Sequence, residues 1–255
     1  MRLLLSVTLL LAAFSLQAAV QEKKIEYNLD GNAMTGYLYW DDAIEGKRPG
    51  VLLIHEWWGL NDYARERARM LAELGYVAFA ADMYGSGKVT TKASHAKGMM
   101  QAVTGDMNVW RGRGLAGLEQ LQQSGMVDGD NVAAVGYCFG GASILQLAYA
   151  DAPIKGAVAF HAALPPAPAD ASVNAKVLVL NGEDDAFVSQ AAVAKFRDSM
   201  AAVGADLQLV NYAGVRHAYT NPDAGSHGID NLKYDAFADE DSWKRMQAFL
   251  NSVFD

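Results

Sequence analysis

Cysteine is almost missing from this chain: Cys138 is the single one in 255 residues. A lone thiol forms no intramolecular disulfide, so packing alone must stabilise the fold. An excess of basic residues is also lacking. Lys and Arg number 21 against 29 Asp and Glu, for a formal net charge of −8. That balance excludes the basic footprint of a nucleic-acid binder, and anionic membranes repel it. No apolar run is long enough for a confident membrane span. Internal repeats, long linkers and low-complexity tracts are absent too, which leaves a single domain. What the chain does have is 51% hydrophobic and 20% charged residues, the composition of a globular enzyme.

The first residues have the layout of a secretory signal. Arg2 supplies a short positive segment, Leu3 to Phe14 an apolar run, and Leu16-Gln17-Ala18-Ala19 a small-residue cleavage zone. Residues 1–19 are therefore expected to be a signal peptide, and the protein to be exported, periplasmic or secreted. The remaining 20–255 are enough for one sizeable core.

Along that domain the pattern changes once. "KKIEYNLDGNAMTGYLYW" alternates about Asp30-Gly31, which predicts an antiparallel hairpin. Thereafter short, continuously apolar strands such as "GVLLIHE", "YVAFAADMY" and "NVAAVGY" alternate with helical segments. Asn61 or Asp62 caps the first of these; Ala64, Ala68, Leu71 and Ala72 form its inner face, and Gly75 stops it. A helical region follows over 94–124, and a closing helix places Trp243, Met246, Leu250 and Val253 on one face. Such alternation predicts an α/β fold, a mostly parallel central sheet with helices on both faces. Its chemistry should lie beyond the carboxyl ends of the strands.

The thiol sits in "GYCFGG", directly after an apolar strand and before a helix. This is the nucleophile-elbow pattern with cysteine in place of serine. Glycines are needed where a sharp strand-to-helix turn brings backbones together, and the helix N-terminus favours an anion at the nucleophile. The elbow predicts the chain order nucleophile, acid, histidine. "NGEDDAFV" offers Glu183, Asp184 and Asp185, and "YAGVRHAYTNP" offers His217. Of the other histidines, His55 precedes Cys138, His95 lies in a polar stretch, His161 ends a strand and His227 sits in a Gly/Asp loop. "HEWWG" fails as a zinc-protease motif because Gly59 stands where the second histidine belongs, and "GSGKVT" fails as a phosphate loop. Neither a metal nor a cofactor is expected.

Together "GYCFGG", "GEDDAFV", "VRHAYTNPD" and "HEWWGLNDYARERARMLAELGYVAFAADMYG" resemble the motifs of the dienelactone hydrolases, cysteine members of the α/β-hydrolase fold. The resemblance runs from about Lys24 to the C-terminus. It implies Cys138 as nucleophile, His217 as base and Asp185 as the acid that orients it. Glu56 would hold the resting thiol and help to deprotonate it. The backbone N–H groups of Trp57 and Phe139 would form the oxyanion hole. Trp57, Trp58, Tyr84 and Trp110 are candidates for an apolar substrate wall. Dienelactone-cleaving members grip a carboxylate with two arginines, and those positions are Ser86 and Asn221 here, with Lys88 and Arg216 nearby but out of register. The implied activity is hydrolysis of a small ester or lactone, as carboxymethylenebutenolidase performs it, by a monomer or small homo-oligomer. The alternatives are another cysteine-dependent esterase or acyl-transfer activity, or a non-catalytic periplasmic binding protein on the same fold.

Overall fold

The computed structural model describes residues 20–255, so the expected signal peptide lies outside the described residues. Val20–Leu29 (β1) and Asn32–Asp41 (β2) form the predicted hairpin, with Leu29 opposite Asn32. Asp30 and Gly31 both have positive φ, 49° and 81°, as a two-residue turn matched to strand twist requires.

Six further strands complete one sheet: Arg48–Ile54 (β3), Val77–Ala81 (β4), Val127–Tyr137 (β5), Gly156–Phe160 (β6), Lys176–Gly182 (β7) and Leu207–Tyr212 (β8). Their spatial order is β1-β2-β4-β3-β5-β6-β7-β8. All pairings from β4 through β8 are parallel, and the hairpin joins antiparallel at β4. Strand β4 is buried along its whole length, as are all residues of β3 but Pro49. This is why their sequences run apolar without alternating.

The helices are Asp62–Glu73 (α1), Ala93–Thr104 (α2), Met107–Gln122 (α3), Phe139–Tyr149 (α4), Gln190–Ala202 (α5) and Ala236–Phe254 (α6). Helices α1 and α6 bury one sheet face against Val51, Leu53 and Val158. Helices α3, α4 and α5 bury the other against Leu52, Ile54 and Ala157. Asn61 caps α1 by accepting from the Ala64 N–H at 3.2 Å, and Gly75 takes φ 93° beyond its end, as expected. The region 94–124 divides into two helices. Asp106 interrupts it because its carboxylate accepts from the N–H groups of Asn108 and Val109, capping a new helix. Every residue of α4 is buried, consistent with a segment that has no polar stripe.

Strand order reverses between β3 and β5, the switch point where an open parallel sheet leaves a crevice at its carboxyl edge. In register, Gly136 of β5 lies beside Ile54 of β3, so Cys138 and Glu56 leave neighbouring strands side by side. The turn from β5 into α4 is tight. A Cβ on Gly140 would stand 2.1 Å from the Ile54 carbonyl oxygen, and one on Gly136 would stand 2.2 Å from that of Gly140. Neither contact involves a side chain that can move aside. Gly140→Ala should therefore cost about 3 kcal/mol or more, seen as a fall of about 6–12 °C in Tm by calorimetry. A Tm within 2 °C of wild type, by the same calorimetric order of magnitude, would show that the turn yields.

Candidate active site

Cys138 occupies the junction itself. Its φ of 55° and ψ of −114° place it outside the regions that L-residues favour, a strain of about 1–3 kcal/mol that the surrounding packing must hold. Its N–H donates to the Phe160 carbonyl at 2.9 Å, tying the elbow to β6. The side chain is partly exposed and opens into a cavity of about 660 Å³.

His217 also lines this cavity. Its Nδ1 lies 2.6 Å from Asp185 Oδ2, and both side chains are buried. Of the three acids in "GEDDAFV", Glu183 and Asp184 are exposed, and Asp185 alone meets the histidine. Its other oxygen, Oδ1, accepts from the Phe187 N–H at 2.9 Å and from Asn231 Nδ2 at 3.1 Å. Burial opposes ionisation of Asp185, but these bonds outweigh it and hold its pKa below the ordinary carboxylate value. Asn231 was not apparent from the sequence, because nothing local marks it; it reaches Asp185 across 46 residues.

The ring nitrogen of His217 facing away from Asp185 is buried and makes no hydrogen bond among the described residues, and Cys138 lines the same cavity. Burial pushes the imidazole towards neutrality, while the charge of nearby Cys138 and the bond to Asp185 raise its pKa to about 10. The His161 and His217 rings meet edge to face with their centres 5.1 Å apart. His161 Nε2 pairs with the Thr220 hydroxyl at 2.8 Å, and burial holds its pKa well below the usual value. Arg67 bonds the Thr220 carbonyl and pairs with Asp239 at 2.6 Å, which fastens the His217 loop to α1 and α6. The helical pattern of α1 does not reveal this inward-facing arginine.

The loop after β3 is pinned from three sides. His55 Nε2 accepts from the Met83 N–H at 3.1 Å, so its Nδ1 carries the proton and donates to the Glu56 carbonyl at 2.5 Å. The Tyr84 hydroxyl donates to the Trp57 carbonyl at 2.9 Å. Asp82 in turn accepts from the N–H groups of Tyr84, Gly85 and Gly87 at 2.8, 2.9 and 3.0 Å. The peptide linking Glu56 and Trp57 is thus fixed in plane. Neither the Trp57 N–H nor the Phe139 N–H donates to another group among the described residues.

The cavity wall comes mainly from Trp57, Met100, Trp110, Phe139, Phe187 and Val188. Trp58 and Tyr84, expected in the wall, stand behind it. Trp58 is 2% exposed and stacks on His227 with ring centres 3.8 Å apart, while Tyr84 stacks on Phe139 at 5.6 Å. The physical reason is that Trp58 belongs to a separate small core with Ala218 and Leu232, while Trp57, packed against the edge of that core, keeps part of its surface on the cavity.

Glu56 is 2% exposed, and its Oε2 accepts from Asn221 Nδ2 at 2.9 Å. The carboxylate therefore bonds Asn221, not the Cys138 thiol. Burial raises its pKa from 4.5 to about 6 despite the Asn221 bond. A raised carboxylate pKa penalises the folded state above the folded value and leaves it unpenalised below the unfolded one. The shift corresponds to about 2 kcal/mol at alkaline pH. Glu56→Gln, which keeps an acceptor for Asn221, should stabilise the protein by up to that amount at pH 8 and by little at pH 4.5, measured by urea unfolding. An equal change at the two pH values would exclude the burial of charge as its cause.

The sequence pattern of the dienelactone hydrolase family matches residues 34–254. A protein of Saccharolobus solfataricus provisionally named carboxymethylenebutenolidase is 26% identical over 91% of this chain and 99% of its own. Among solved structures, a dienelactone hydrolase-like promiscuous phosphotriesterase from metagenomic libraries superposes with a TM-score of 0.90. It is 39% identical, covering 93% of this chain and all of that one. An α/β-hydrolase from a deep-sea metagenome library shares the fold at 17% identity and a TM-score of 0.64, over 92% and 98% of the two chains. With the family pattern spanning nearly the whole described chain, this protein belongs to the dienelactone hydrolase family, hydrolases of the α/β-hydrolase fold.

Proposed function

We propose that the protein hydrolyses carboxylic esters or lactones through an acyl-enzyme on Cys138. The observation that carries this reading is that Cys138, held at φ 55° on the elbow, and His217, paired with Asp185 at 2.6 Å, line one cavity.

The Cys138 thiolate attacks the carbonyl carbon and forms a C–S bond. The oxyanion then accepts from the free N–H groups of Trp57 and Phe139; one such donor is typically worth about 10²–10³ in rate. Collapse breaks the C–O bond, and His217 gives its proton to the departing alkoxide. A water then loses its proton to His217 and attacks the thioester carbonyl. The C–S bond breaks, the acid leaves and the thiolate returns. Asp185 keeps the imidazole in the required tautomer and favours its protonated form. Glu56 contributes charge behind the histidine, favouring the imidazolium.

A second reading is favoured by the 39% identical metagenomic phosphotriesterase: a neutral phosphotriester also fits an apolar cavity with two oxyanion donors. Both readings use the same thiol. Cys138→Ala should lower kcat/KM for aryl esters at least about 10³-fold, and stoichiometric alkylation of the wild type by iodoacetamide should abolish turnover. Full hydrolysis by the variant would overturn the mechanism.

We also propose that the protein is exported, on the basis of the charged, apolar and small-residue segments at 1–19. Expressed at full length in a Gram-negative bacterium, it should be recovered from the periplasm or medium, and N-terminal sequencing should begin at Ala19 or Val20. A cytosolic protein starting at Met1 would refute this.

A further inference from the structure

The cavity beside Cys138 carries more than the family assignment, because its wall bears on what it can recognise. Its volume of about 660 Å³ suits a small organic molecule. Met100 of α2, Trp110 of α3, Ala142 of α4, and Phe187 and Val188 after β7 line it with apolar surface. Phe187 is 54% exposed, an apolar ring left facing solvent where it packs on His217 at 5.1 Å.

Among the described residues lining this cavity, Lys97 is the one lysine or arginine, and it is exposed on α2; His217, the other group there able to carry positive charge, is already paired with Asp185 at 2.6 Å. Other cations near the site are engaged elsewhere. Arg111 donates to Gln146 at 3.0 Å, Arg113 to the Met83 carbonyl at 2.6 Å, and Arg216 pairs with Asp230 at 3.1 Å. Lys88 is exposed and does not line the cavity. Ser86 is exposed, with its N–H on the Ala33 carbonyl at 2.7 Å, and Asn221 is spent on Glu56.

Resting on the ester-hydrolase reading, we propose that the substrate is an uncharged ester with a bulky apolar acyl part, and that a carboxylate on that part is selected against. A carboxylate leaving water needs a paired cation with its hydrogen bonds met. Here it would meet aromatic and aliphatic surface, with the carboxylates of Glu56 and Asp185 close behind. Each methylene buried against that surface is worth up to about fourfold in binding.

The test compares p-nitrophenyl hexanoate with the p-nitrophenyl monoester of adipic acid, which has the same chain length and a terminal carboxylate. The neutral ester should have a kcat/KM at least about tenfold higher, mainly through KM, and activity should rise from acetate to hexanoate by up to about fourfold per methylene. Equal or better cleavage of the adipate ester would overturn the proposal. A second readout needs no turnover: quenching of cavity tryptophan fluorescence by 1-octanol and by octanoate. Octanol should act at a concentration at least about tenfold lower, on the same methylene scale; parity would overturn the proposal. If octanol binds preferentially and neither ester is cleaved, the cavity's preference stands and the hydrolase reading falls.

Discussion

The backbone of Gly140 lies against the carbonyl of Ile54, and the rest of the site depends on that approach. It lets α4 begin immediately beyond β5 and beside β3, which brings the elbow and the Glu56–Trp57 loop to adjacent strand ends. Cys138 is then left in a strained conformation that only the enclosing backbone sustains. A longer or looser turn would relieve the strain and lose the aim of the thiol. Phe139, the first residue of α4, follows the thiol directly in the chain, so one constraint positions both groups that the proposed mechanism uses as nucleophile and oxyanion donor.

Charge is organised around the imidazole. Asp185 is held ionised by Asn231, the Phe187 N–H and His217 itself, and the charge of nearby Cys138 also bears on the ring. Behind this line, His161 remains neutral against His217, which avoids a second buried cation. Arg67 satisfies Thr220 and Asp239, so that the loop carrying the histidine is braced by two helices. Glu56 is an acid beside the cavity whose burial is not fully compensated, a destabilising feature of the kind found where chemistry is prepared. The cavity in front of these groups is apolar, so an incoming carbonyl meets oriented dipoles in place of water.

Much of the fold was legible because its signals are local. The Asp30-Gly31 turn, the Asn61 cap and the unbroken apolar strands each announce an element from a few residues. The pairing of Asp185 with His217 drew on a similar signal, since turn chemistry at strand ends is written in short stretches. The break at Asp106 was harder to read, because a capping aspartate inside a helical stretch looks like an exposed one until its carboxylate takes two N–H groups. Trp58 and Tyr84 were misplaced as wall residues, since adjacent aromatics in a loop do not disclose which one the chain turns inward.

The sequence by itself determined the alternation of strands and helices, the glycine-flanked thiol and the order of acid and histidine behind it. These follow from steric limits and periodicities that act over a few residues. Only the tertiary structure decided which carboxylate meets His217, that Asn231 supports it from 46 residues away, and that Glu56 is held by Asn221. It also decided which aromatics face the cavity. Those outcomes depend on distances between segments far apart in the chain, which close packing of the sheet and its helices sets and no local pattern encodes.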